Sequence, residues 1–250
     1  KGEVFSKKFR IKISNNLKNI NFKLLKSGVN AEINLNDSIK KEVISGFFKS
    51  KILNTNLKFD FNLDNKKLNI YNSYFRSKNL SFNNDSTIII NPFMHVESKF
   101  KIEDINTEIF KKINVSKLLD SKFILKKINS KNEINFIARK FSRGLIDKSK
   151  LRIDLAYGRM NYLKIFSISD HFFQCKGNIN LLLDYPLLVF DCSIISDNKK
   201  DLLKRFSIKT KNENKTLKLH VKGNLNISNK KINFKKILVN ESYEASKDDL

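Results

Sequence analysis

Glycine occurs seven times and proline twice in this 250-residue chain, too few to supply the turns of a protein with many reversals. Asn and Asp must carry most of that chemistry, because they tolerate left-handed backbone geometry better than other non-glycine residues. The two cysteines allow one disulfide and by themselves fix no redox compartment. The three histidines, His95, His171 and His220, stand apart. Only His171 has a cysteine near it, Cys175, and no further ligand pair follows, so no metal site is expected. No apolar run approaches the roughly 18 residues that a membrane-crossing helix needs, and no signal-peptide pattern is present. A phosphate-binding glycine loop, a nucleophile elbow and a His-Glu metalloprotease motif are all missing. Acidic residues are sparse, 25 against 49 Lys and Arg. Asp60 sits between Phe59 and Phe61, as a carboxylate on a wet strand face would. Glu103 and Asp104 precede a stretch of helical spacing, where capping is the simpler role. These absences point away from an enzyme and from any cofactor.

What is present is apolar and basic. Apolar residues make up 40% of the chain and Phe alone contributes 21, which excludes a disordered composition and allows a substantial core in one or two domains. The formal net charge is +24. Such an excess attracts polyanions, either nucleic acid or an anionic lipid surface. It also follows from over-use of Lys, Asn, Ile and Phe, all encoded by A/T-rich codons, and the spread of charge along the whole chain favours that origin. The chain begins on Lys1, and the expectation is a piece of a longer protein.

Period-2 alternation dominates. Phe9, Ile11 and Ile13, then Ile20, Phe22 and Leu24, then Ala31, Ile33 and Leu35 each alternate with polar residues. Leu57, Phe59, Phe61 and Leu63 form the clearest run. Such stretches are half-buried strands with one apolar and one wet face. Two similar nonapeptides, "NLDNKKLNI" (62–70) and "NISNKKINF" (226–234), read as hairpins. With Asn65 and Lys66 as a two-residue loop, Leu63 faces Leu68 and Phe61 faces Ile70. With Asn229 and Lys230 as the second loop, Ile227 faces Ile232, Leu225 faces Phe234 and Val221 faces Leu238. A third hairpin, "CKGNINLLLDYPLLVFDC", reverses near Asp184, Tyr185 and Pro186. It places Ile179, Leu181, Leu188 and Phe190 on one face, with Cys175 opposite Cys192, either joined or as two buried thiols. "KGNINL" and "KGNLNI" echo each other across the last two hairpins, as a repeated strand unit would.

Three stretches depart from alternation. Ile105, Ile109 and Ile113, followed by Leu118 and Leu119, predict a helix over 104–120. Residues 198–206 predict a short helix, and 240–250 a helical end. A short helix over Ile39–Ile44 is an open alternative. The domain reading is a β-sheet block over 1–103, a helix at the seam over 104–120, and a second β-sheet block over 121–250. Basic residues interleave with aromatics in "KKFRIKI" and "SYFRSKNLSF", yet the aromatics share faces with Leu and Ile instead of forming a stacking platform, so no nucleic-acid partner is expected. A transmembrane barrel also alternates, but it needs aromatic girdles that are missing here.

The strand end "TIIINPFMHVESKFKIEDIN", the G-N-[IL]-N strands and the closing "LHVKGNLNISNKKINFKKILVNESYEAS" resemble the carboxy-terminal region of AsmA-like envelope proteins over most of residues 50–245. The resemblance implies an elongated, twisted antiparallel sheet of hairpins forming a β-groove: a mainly β fold with a few short helices. It implies a periplasmic module anchored to the inner membrane of a double-membraned bacterium by a segment outside this chain. It further implies a phospholipid or other acyl lipid as partner. The apolar residues of the three hairpins, named above from Leu57 to Phe234, are then the candidate groove lining. Full burial of an acyl chain of about 16 carbons gains roughly 13 kcal/mol at about 0.8 kcal/mol per CH₂. Only a continuous apolar track offsets its removal from a bilayer. The alternatives are a structural β-sandwich, whose second layer closes the apolar face, and a basic nucleic-acid-binding module.

Overall fold

The computed structural model describes residues 2–4, 7–16, 18–36, 43–90, 93–106, 120, 122–137, 146–209 and 215–246. The chain divides into two compact units, Lys1–Ile113 and Asn114–Leu250. Unit 1 holds β1 (Gly2–Val4), β2 (Lys7–Ser14), β3 (Asn19–Leu24), β4 (Val29–Leu35), β5 (Ile44–Ile52), β6 (Thr55–Leu63), β7 (Lys67–Arg76), β8 (Leu80–Ile89) and β9 (His95–Ile105). Unit 2 holds α1 (Lys122–Leu125), β10 (Asn129–Ile137), β11 (Lys148–Ala156), β12 (Arg159–Ile168), β13 (His171–Asn180) and β14 (Leu187–Ser196). It continues with α2 (Lys199–Arg205), β15 (Leu217–Asn226), β16 (Ile232–Val239) and β17 (Tyr243–Glu244). Within each unit every strand pairs antiparallel with the next in sequence. The fold is mainly β, a twisted antiparallel meander with short helices, and the alternating stretches of the sequence are its strands.

Short connections make this meander, and side chains shape them. Asp64 Oδ1 accepts the backbone N–H groups of Lys66 and Lys67 at 2.8 and 2.7 Å, closing the β6–β7 turn. Leu63 faces Leu68 and Phe61 faces Ile70 there, as the alternation requires. Left-handed backbone is shared more widely than expected: Asn15, Asn16, Asn72 and Asn240 adopt it, but so do Lys26, Leu53 and Tyr157. Asn and Asp serve the turns as much by side-chain acceptance as by backbone tolerance.

The second copy of the nonapeptide folds differently from the expectation. Leu225 faces Ile232 and Gly223 faces Phe234, a slip of two residues. Val221 then faces Ile237, because a bulge intervenes at Lys222/Gly223. Asn226 causes the slip. Its Oδ1 accepts the N–H groups of Ser228 and Asn229, and its own N–H reaches Lys231 O at 2.9 Å, so the turn needs four residues. Ile227 is thereby freed from β16 and donates its N–H to Pro186 O at 3.1 Å. The two-residue slip keeps Ile232 and Phe234 on their face, but past the bulge Ile237 takes the place expected of Leu238, which faces His220 instead.

Asp104 and Ile105 belong to β9, so the helix expected from residue 104 does not begin there; residues 107–119 of that expectation lie outside the described residues, as do residues 39–42 of the shorter one, and Ile44 opens β5. The end of the chain is also corrected. Tyr243–Glu244 pairs with β16 as a strand, because Asn240 and Glu241 turn left-handed and reverse the chain; residues 247–250 lie outside the described residues. The helix expected over 198–206 is α2, capped by Asn198, whose Oδ1 accepts Asp201 N–H at 3.0 Å.

Candidate functional site

Strand pairing collects the apolar side chains into rows. In unit 1, Ile13, Ile20, Ile33, Phe48 and Phe59 face one another from β2 to β6. A neighbouring row runs through Ile11, Phe22, Ala31, Ser50, Leu57, Phe75, Phe82 and Ile102, one residue from each strand from β2 to β9. Eight strands about 4.8 Å apart make this row about 34 Å long. Leu63, Leu68, Ile88 and Val96 form a third row. Stacked rings bind the strands laterally, Phe48 on Phe59 and Phe75 on Phe82, each pair at 4.8 Å. The candidate residues Leu57, Phe59, Phe61, Leu63, Leu68 and Ile70 all lie on this face, each half-buried. Among the described residues of unit 1 no hydrophobic side chain is buried; the buried groups on that face are Gly46, Ser50, Ser73 and Ser98. Ile11, Ile13 and Ile52 are exposed.

Unit 2 treats its apolar face differently. Leu202 of α2, 3% exposed, packs with Ile168, Phe173 and Leu217. Leu125 of α1 packs with Ile179 and Leu181. Each helix covers one end of the face. Ile179 and Leu181 were expected to line a free groove; they are buried core instead, with Leu188 and Ile227 partly buried against them. Phe190 and Val221 remain half-buried between the two clusters, and Ile232 and Phe234 are exposed. Lys164 interrupts the apolar row there, its Nζ 5.0 Å from the Phe166 ring centre.

The "KGN" echo has a physical basis in this unit. Gly177 and Gly223 flank Phe190 on the two neighbouring strands. A Cβ at Gly223 would run into the backbone oxygen of Asn233 and lie 2.6 Å from the Phe190 ring, so glycine lets both approach. Lys176 and Lys222 flank Asp191 on the opposite face in the same way. Cys175 faces Cys192 and the two form a disulfide closing a 17-residue separation. The Cys175→Ser/Cys192→Ser variant should therefore lose about 3 kcal/mol, the loop-closure entropy regained by its unfolded chain. Urea denaturation of wild type, with and without reductant, checks this; a midpoint unmoved by both treatments contradicts it.

Polar groups missed in the sequence are brought together by the fold. His171, 2% exposed, places Nδ1 2.9 Å from Ser196 Oγ and Nε2 3.0 Å from Asp201 Oδ2. Arg205 Nε also donates to Asp201 Oδ2 at 3.0 Å. Arg205 first and His171 second hold the Asp201 carboxyl below its usual range. The residue types are those of a hydrolase triad, yet Ser196 is 1% exposed and leaves no approach for a substrate carbonyl. The network pins α2 to the sheet. On the polar face, Glu133 receives Asn135, Lys150 and Arg152 at 3.0, 3.0 and 3.1 Å. These donors, Asn135 foremost, pull its carboxyl from an ordinary 4.5 down to about 2. A depressed carboxylate stabilises the fold above its unfolded pKa, and the contribution is lost as pH falls from 4.5 toward 2. Glu133→Gln should flatten the fall in melting temperature across that window; an unchanged acid limb contradicts the assignment.

Against protein-family models, curated proteins and solved structures, the chain has no match.

Proposed function

We propose that this chain is a non-enzymatic, lipid-handling module of AsmA-like type, in which the apolar sheet face shields acyl chains from water. The observation that carries the reading is the apolar face of unit 1: rows of Leu, Ile and Phe running from strand to strand, with no described hydrophobic side chain buried. A face of this extent is expected to be covered by something. A row about 34 Å long exceeds the depth of one leaflet, about half of a 30 Å hydrocarbon core. Binding is passive in this reading. The gain is apolar area removed from water, and the acyl chain slides because no directional bond holds it. A periplasmic location and an inner-membrane anchor outside this chain belong to the same reading. The two helix-covered clusters of unit 2 favour a structural role for the ends of that unit's face.

The test is chemical. Protein purified without detergent should release phospholipid on organic extraction, detected by mass spectrometry in near-stoichiometric amount. Protein that is folded, lipid-free and unable to take up a fluorescent fatty acid rules the reading out.

A further inference from the structure

The opposite, polar face of unit 1 carries a cleft of about 770 Å³ across β2 to β7. Its cationic lining is Arg10, Lys12, Lys23, Lys49 and Lys51, against the single carboxylate of Glu32. Strand register sets these groups in two rows. Arg10 directly faces Lys23, and Lys51 follows two strands further on, beyond Asn30. Lys12 leads the second row through Asn21 to Glu32 and Lys49, and Lys49 directly faces Lys58. Like charges directly opposite one another on a sheet are destabilising.

Nothing described in the protein neutralises them. Glu32 stands opposite Lys49, but its Oε1 takes the amides of Asn34 and Asn19 at 2.7 and 3.5 Å. None of the five cations forms an ion pair with a described residue. Unit 2 shows the contrast. Lys150 and Arg152 pair with Glu133, Lys222 with Asp191, Lys218 with Glu241 and Lys236 with Glu244. Compositional bias explains how many lysines the chain has. It does not explain why one concave site gathers five cations and leaves them unpaired.

We infer that this cleft binds a compact, multiply charged, phosphate-bearing anion. Guanidinium and ammonium donors converging from several strands suit phosphate oxygens. The volume is that of a small-ligand pocket, within the usual range of about 300–1,000 Å³. The cleft is independent of the acyl-chain reading. Phe22, Ala31, Ser50 and Leu57 also border the cleft, but alternation sends their side chains to the other side of the sheet. The phosphate has two possible sources, a soluble polyphosphorylated compound or a lipid headgroup.

Calorimetry of the whole chain with inorganic tripolyphosphate tests the site. Wild type should bind, and Lys49→Gln/Lys51→Gln should weaken binding about tenfold or more, the loss of at least one charge-assisted contact. Lys49→Arg/Lys51→Arg should restore it. Lys148→Gln/Lys176→Gln removes the same charge from the polar face of unit 2 and should leave affinity within about twofold. Flotation with phosphatidylcholine vesicles, with and without phosphatidic acid, separates the sources. Binding only to acidic vesicles, lost in Lys49→Gln/Lys51→Gln, assigns the site to a headgroup; tripolyphosphate binding without flotation assigns it to a soluble ligand. No tripolyphosphate binding at low salt overturns the inference, and so does an equal loss in the two charge-matched variants.

Discussion

The Phe59→Asp/Phe61→Asp variant should stay folded and lose fatty-acid binding by about a hundredfold or more. The reasoning starts from burial. Both rings are half-buried, Phe59 against Phe48 at 4.8 Å and against Phe61 at 6.4 Å. A carboxylate at either position keeps water on one side, so its desolvation in the free protein is partial. An acyl chain laid over the same place would remove that water. The cost then rises by several kcal/mol across the pair, and each 1.4 kcal/mol is tenfold in affinity. Displacement of a fluorescent fatty acid reads the binding, and circular dichroism with thermal melting reads the fold. If the face were closed by a second protein layer, the outcome would invert. The two carboxylates would then be fully buried without partners, and the unit would not fold. An unfolded double variant therefore sinks the open-face argument, while a folded variant with unchanged affinity sinks the placement of the lipid.

Truncating Phe173 should produce the largest loss of stability of any single core change considered. Phe173 stacks on Phe166 at 4.5 Å, meets Phe206 edge-on at 6.4 Å, and is buried beneath Leu202 of α2 with Ile168 and Leu217. Removing a buried aromatic ring forfeits both its transfer free energy and the contacts around the vacated space, about 3–5 kcal/mol in total. Phe59→Ala, at a half-buried site with water already at hand, should cost about half as much or less. Guanidinium denaturation midpoints of the two variants, compared at equal slope, give the ratio. Equal losses would mean that the two apolar faces are equally closed. The contrast matters for function: it separates the part of the sheet that acts as core from the part proposed to meet lipid.

The two findings that sequence reading missed share a cause. His171 and Ser196 meet across the paired strands β13 and β14, and Asp201 reaches His171 only because α2 docks on the end of the sheet. The basic cleft draws on six strands, β2 to β7, with Arg10 and Lys51 some forty residues apart in sequence. No local spacing encodes either grouping. The slipped hairpin is a smaller case of the same kind. "NKK" occurs at both turns, but Asp64 caps the first and Asn226 the second, and Pro186, in the connection just before β14, claims Ile227. Similar local sequences thus close turns of different length once neighbouring backbone competes for their N–H groups.

The order of hydrophobic and polar residues alone determined that this chain is β-rich and antiparallel, and which side chains share a face, except past the bulge that moves Leu238 off the face of Val221. Side chains alternate with a period of two in any strand, so those properties survive any even shift of register. Cys175 opposite Cys192, and Leu63 opposite Leu68, follow from the same local arithmetic. Only the tertiary structure decided how far each apolar face is covered. That depends on where four residues of α1 and seven of α2 come to rest, and their docking is set by packing between elements distant in the chain. In unit 2 the two helices bury both ends; in unit 1 the face stays half-exposed, and the unneutralised cations gather on its other side.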